Sequence, residues 1–157
     1  MKKTIVITGA GGVLCSGFAR HLAKSGARIA LLDLNQEAAE AVAADIRAAG
    51  GEARAWKANV LEKENLEAVH AEVLAAFGPC DILVNGAGGN SPKCTTTHET
   101  FEPGDEARDD IATFFNLPKA GFDFVFGLNI MGVLLPTQVF ARDMIAARTA
   151  RSSTSPR

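Results

Sequence analysis

Tyrosine is absent from this 157-residue chain, tryptophan occurs once, and the three cysteines (Cys15, Cys80, Cys94) include no Cys-x-x-Cys pair. An odd cysteine count at those spacings suggests neither a disulfide framework nor a zinc site. His21, His70 and His98 are widely separated and show no metal-ligand spacing, so no metal is expected. A basic excess is lacking too: 16 Lys and Arg against 18 Asp and Glu leave a formal charge of −2. Such a balance offers no surface for a phosphate backbone, and nucleic acid is not an expected partner. No apolar run is read as approaching the ~20 residues needed to cross a bilayer, so no membrane association is expected. The opening Met1 to Ile7 stretch makes a poor signal peptide, being short, glycine-broken and followed by bulky Leu14 near the cleavage position. The expected location is therefore the cytoplasm.

What is present reads as one globular domain: 47% apolar and 22% charged residues in a length that supports a single core. Short β-rich runs alternate with helical stretches. Residues 4–8 form a continuous apolar run ending in glycines, the pattern of a buried parallel strand. A helix is expected over 13–25, with Leu14, Phe18 and Leu22 as its apolar stripe and Gly26 as its stop. A second strand over 28–32 stops at Asp33, and Asn35 caps an alanine-rich helix to about Ala49. A weaker strand over 53–58 ends at Asn59-Val60, and a charged helix over 62–77 is stopped by Gly78-Pro79. A fourth strand over 81–84 runs into Asn85-Gly86-Ala87-Gly88-Gly89. The polar stretch to about Pro118 is too long for a simple connection and reads as a functional loop. A last helix begins near Gly121, with a kink expected at Pro136. Strict alternation of strand and helix predicts an α/β, Rossmann-type, doubly wound parallel sheet.

Thr8-Gly9-Ala10-Gly11-Gly12-Val13-Leu14 joins the first strand to the first helix. Glycine lets this backbone turn tightly against a pyrophosphate, whose charge is favoured at a helix N-terminus. Many strand–helix turns carry glycine for steric reasons alone, so position matters: this one follows a buried strand directly. Asp33, at the end of the second strand, can accept hydrogen bonds from both adenosine ribose hydroxyls. Its charge would repel a 2′-phosphate, which selects NAD over NADP.

Gly9, Asp33, Asn59-Val60, Asn85-Gly86-Ala87-Gly88 and Asn129 together give the chain a resemblance to the short-chain dehydrogenase/reductase family over residues 1 to about 147. The resemblance implies that Gly9, Gly12, Val13 and Leu14 carry the pyrophosphate turn and that Asn59 meets the adenine amino group beside Val60. It implies that Asn85, Gly86 and Ala87 lie along the cofactor, and that Asn129 holds a water in the family's proton relay. Val13 and Cys15 stand where the family usually has glycine, so their side chains must point away from the cofactor. The Gly11–Gly17, Gly88–Lys93 and Leu135–Phe140 segments look most like a sugar-acid subgroup of D-mannonate oxidoreductase and gluconate 5-dehydrogenase type. That likeness implies NAD(H) and a small sugar-acid substrate as partners, with full-length relatives forming homotetramers. Asn90, Ser91 and Lys93 could bind the substrate carboxylate or could simply be a solvated loop.

The family's chemistry uses a tyrosine as acid and base, a lysine four residues on, and a serine. With no tyrosine, the chain as given is expected to be inactive in that mechanism. Residues 1–147 are expected to form an incomplete NAD-binding domain, and residues 148–157 a non-native or disordered tail. The tail codons permit a shifted frame encoding an apolar strand, so a frameshift is one explanation; a polar terminus using Ser152 or Ser153 is another. Besides an oxidoreductase by family, two alternatives remain: a non-catalytic NAD-binding module and a fragment without function.

Overall fold

The computed structural model describes the backbone of residues 2–153 and the side chains of residues 2–147. Four strands, β1 (Thr4–Thr8), β2 (Arg28–Asp33), β3 (Glu52–Lys57) and β4 (Ile82–Asn85), form one parallel sheet in the order β3-β2-β1-β4. β1 and β2 are continuous apolar runs because both of their faces are covered. Ile5, Ile7, Ile29 and Leu31 pack on one side with α1 (Val13–Ala23) and α2 (Gln36–Ala48). Val6, Ala30 and Leu32 pack on the other with α3 (Lys63–Phe77) and with Val139 and Phe140 from the last helix. The chain steps outward from β1 to β3, then returns across β1 to lay down β4. That reversal opens a crevice beyond the carboxyl ends of β1 and β4.

Helix α1 buries a different face from the one expected. Its apolar stripe is largely in solvent, Leu14 being 71% and Phe18 47% exposed, and Leu22 reaches only the core margin. Cys15, Ala19 and Ala23 are buried instead. Small side chains let the helix axis come close to the sheet, and proximity outweighs the size of the larger residues one step away. Asn35 does cap α2, its side chain accepting from the Ala38 amide at 3.2 Å.

The last helical segment is α4 (Lys119–Phe126), a π turn over Gly127–Met131 and α5 (Gly132–Ser153). Helix continues through Pro136, so the irregularity falls nearer the N-terminus than expected, at the π turn carrying Asn129. A π turn inserts an extra residue into the helical ladder and re-aims the side chains around it. The helix also runs past its expected end at Ala147, to Ser153. Of residues 150–157, over which a shifted frame was one explanation, the backbone of 150–153 is helical, while their side chains and all of residues 154–157 lie outside the described residues.

The expectation about membrane length needs correcting. Within Lys119–Ala147 an 18-residue window has a mean hydropathy of 1.7, long and apolar enough to cross a membrane, and 22% of it is buried. Glycine, asparagine and proline break the stretch up for the eye, but they carry no charge. Pro136, Val139 and Phe140 of this helix are buried in the domain, whereas Phe126, Ile130, Val133 and Leu134 lie on its exposed side. Asp143 fastens the helix at depth by accepting from the Cys80 amide and pairing with His70 Nε2, both at 2.9 Å.

Candidate nucleotide-binding cleft

The crevice is a cleft of about 580 Å³, within the range of small-molecule sites. Gly9, Gly11 and Gly12 form its floor, Asp33 and Leu34 one side, Ala58 to Leu61 another, and Gly86 to Gly88 the far lip. Gly9 has φ +65°, and a Cβ there would sit 2.8 Å from Gly86 O and Ala87 N. No side chain can stand at that point. The turn is closed by Gly12 N donating to Gly9 O at 3.1 Å, and Gly12, at the N-cap of α1, leaves the helix without any side-chain cap. An uncapped first turn facing a glycine cradle is suited to an anion.

Asp33 organises this floor. One carboxylate oxygen accepts from Gly11 N and the other from Asn35 N, each at 2.9 Å. Every carboxylate oxygen has two acceptor positions, so both remain able to take a ribose hydroxyl. Thr8, fully buried, holds the opposite lip: its Oγ1 accepts from Gly86 N at 3.1 Å and Ala87 N at 3.2 Å.

Of the residues singled out from sequence, Gly9, Gly12, Asp33, Asn59, Val60, Gly86 and Ala87 are brought together in this cleft. Val13 and Leu14 are not among its lining residues; Val13 is 95% exposed and Cys15 is buried beneath α1, so both departures from glycine point away from the floor. Asn59 shapes the turn that leads into α3: Oδ1 accepts from Leu61 N at 3.1 Å, and Nδ2 donates to Glu62 at 2.8 Å. One amide hydrogen remains for a base. Asn85 lies behind the lip and ties β4 to α5 through Thr137 Oγ1 at 3.1 Å.

Asn129 also stands outside the cleft lining. Nδ2 donates to Gly89 O and Val125 O, both at 2.7 Å, and Oδ1 accepts from Gly89 N at 3.2 Å. The π turn thus grips the start of the long loop through a side chain that mimics a strand partner. In that loop Asn90 Oδ1 accepts from Ser91 N, and Ser91 Oγ accepts from Lys93 N. These side chains are already engaged in shaping the loop. Leu34, Leu61, Phe124 and Leu128, which complete the cleft with apolar surface, were not foreseen. Phe124 and Leu128 sit one helical turn apart on α4 and the π turn, and only the tertiary fold carries that helix to the cleft.

The two buried thiols are chemically quiet. Burial, and then the charge of Asp33, raises the Cys15 thiol pKa. Burial, and then Asp143, pushes Cys80 up to about 12. We therefore expect a disulfide reagent at pH 8 to label Cys94 promptly, and Cys15 and Cys80 only when the chain is unfolded. The unfolded Cys80 thiol ionises near its ordinary 9.0 while the folded one holds its proton, so urea stability should fall as pH rises from about 9 towards 12. A stability profile equally steep in Cys80→Ala would contradict this.

A family model for short chain dehydrogenase matches residues 3–152. An uncharacterized oxidoreductase of Haemophilus influenzae is 55% identical over 148 residues, which are 94% of this chain and 51% of that protein. A solved structure from the same species, provisionally named D-mannonate oxidoreductase and holding NAD, matches with a TM-score of 0.86 and 56% identity. It covers 90% of this chain and 50% of its own. A metagenomic short-chain oxidoreductase in complex with NADP matches at TM-score 0.73 and 31% identity, over 92% of this chain and 57% of that one. The chain spans about half the length of the curated relatives it matches.

Proposed function

The chain belongs to the short-chain dehydrogenase family, and from that premise we propose that its cleft binds NAD(H) in preference to NADP(H). The reaction served is hydride exchange with a sugar-acid alcohol or ketone. Members of the family bind a nucleotide cofactor and a small-molecule substrate. The observation carrying the choice of NAD is Asp33, whose carboxylate lies in the same cleft as the Gly9–Gly12 floor and bonds directly to it. A 2′-phosphate beside that carboxylate would meet like charge.

In this reading the floor amides hold the pyrophosphate, Asp33 holds the ribose, and Asn59, Val60, Leu61, Leu34, Phe124 and Leu128 enclose the base. When bound, the nicotinamide supplies or accepts the hydride. Asn129 fixes Gly89, and with it the loop expected to face substrate, and its second Oδ1 acceptor position is where a relay water would attach. The exposed apolar side of α4 and α5 is the surface through which we place assembly of the homotetramer, because one face of that helix is already used by the core.

Titration with NADH and NADPH, followed by nicotinamide fluorescence, tests this reading. NADH should bind at least tenfold more tightly; equal affinities, or a preference for NADPH, would remove the role given to Asp33. Phe124→Ala should weaken NADH about tenfold with little change in melting temperature, since the ring is 53% exposed in the absence of ligand. A second reading, a binding module without turnover, is favoured by the lack of any tyrosine. Oxidation of NADH in the presence of fructuronate separates the two: turnover supports the enzyme, binding without turnover the module.

A further inference from the structure

Cys15 occupies a position where glycine was expected, in the first turn of α1, and its side chain runs beneath the cleft rather than into it. Its sulfur lies against Gly86, at the lip where β4 ends. A Cβ built on Gly86 would overlap Cys15 Sγ and would approach Thr8 O to 2.8 Å. The thiol fills the space that a side chain at residue 86 would need. Gly86 is at the same time held from the other side, its amide donating to Thr8 Oγ1, and its carbonyl closes over Gly9.

We propose that Cys15 is a positioning residue for the dinucleotide cleft, paired by size with Gly86: the thiol seats the Gly86–Gly88 lip against the glycine floor, and residue 86 lacks a side chain because residue 15 carries one. This rests on the cofactor reading above, but the contact itself belongs to the folded chain alone. The pairing gives the glycine at 86 a reason separate from backbone conformation, since its φ is not positive. A methyl group at 86 faces the Cβ of Cys15 at 3.6 Å, an ordinary contact, so removing the sulfur opens room for it.

A double-mutant cycle tests the pairing. Gly86→Ala should weaken NADH binding at least tenfold, and Cys15→Ala a few-fold. The double variant should bind at least fivefold more tightly than Gly86→Ala alone, with the Thr8 carbonyl keeping it short of the parent. Should Gly86→Ala fail to fold, Cys15→Val and Cys15→Ser carry the test: the larger side chain should weaken binding at least tenfold, and the near-isosteric one less than threefold. Val73→Ala, in the core on the opposite face of the sheet, should lower the melting temperature while leaving NADH affinity within twofold. A purely structural role for Cys15 would make its variants behave like that control, and would overturn the proposal. Losses that simply multiply in the double variant would also overturn it. If the parent chain bound no NADH, the cofactor reading would fail and the positioning role with it; binding with multiplicative losses would reject the pairing alone.

Discussion

Gly9→Ala is expected to destabilise the chain by about 3 kcal/mol and to lower its melting temperature by roughly 10 °C. Two effects combine. Gly9 has a left-handed backbone at φ +65°, which costs an alanine about 1–2 kcal/mol. The added methyl must also push apart backbone atoms of Gly86 and Ala87, each 2.8 Å away, and overpacking of that kind costs about 1–3 kcal/mol. No flexible side chain is available to yield. The two lips of the cleft would part, so NADH affinity measured well below the melting temperature should fall too. A calorimetric melt within 2 °C of the parent would show that the turn is not packed against β4 as described. Gly17 is the matching control, having no positive φ and nothing within 4 Å of the point where a methyl would stand. Gly17→Ala lies inside α1 and should be neutral or stabilising by up to about 1 kcal/mol.

Asp33→Ala should weaken NADH about a hundredfold, equivalent to about 2.7 kcal/mol. Charge-assisted hydrogen bonds contribute about 1.5–3 kcal/mol each, and the substitution removes those to ribose together with the one that positions Gly11. NADPH affinity should change far less, because a repulsion is lost alongside the attraction, and the selectivity between the two should collapse. Asp33→Asn separates the two roles. Its amide oxygen can still accept from Gly11 N, so the Gly9–Gly12 floor keeps its shape while the charge and the acceptor for Asn35 N disappear. NADPH binding should then rise relative to the parent. If both variants left NADH affinity within threefold of the parent, the ribose would lie elsewhere.

β3, with Glu52, Arg54 and Lys57 among its residues, was the weaker pattern. β1, β2 and β4 were legible because each is short, apolar and bounded by glycine, asparagine or aspartate, which local chemistry alone makes turns. The same holds for the Asn35 cap and for the Gly9–Gly12 floor directly after β1. Local pattern misleads where neighbours decide. Leu14 and Phe18 are at helical spacing and apolar, yet the sheet accepted Cys15, Ala19 and Ala23, because packing distance rewards small residues there. Asn129 carried a recognisable family position, but nothing in its neighbours along the chain indicated a π turn or a grip on Gly89. The apolar length of the last helix was hidden by residues that interrupt a visual run without adding charge.

The order of residues along this chain determined the alternating α/β class, the glycine turn and the acid at the end of the second strand, since these depend on periodicity and short spacings, and it carried the motifs by which the chain resembles its family. The folded arrangement decided which of those residues share a cleft. It alone brought Phe124 and Leu128 across from a distant helix, set Cys15 against Gly86, and left Val13, Leu14, Asn85 and Asn129 outside. Contacts between residues separated by tens of positions depend on how helices settle on the sheet, and no local pattern encodes that distance.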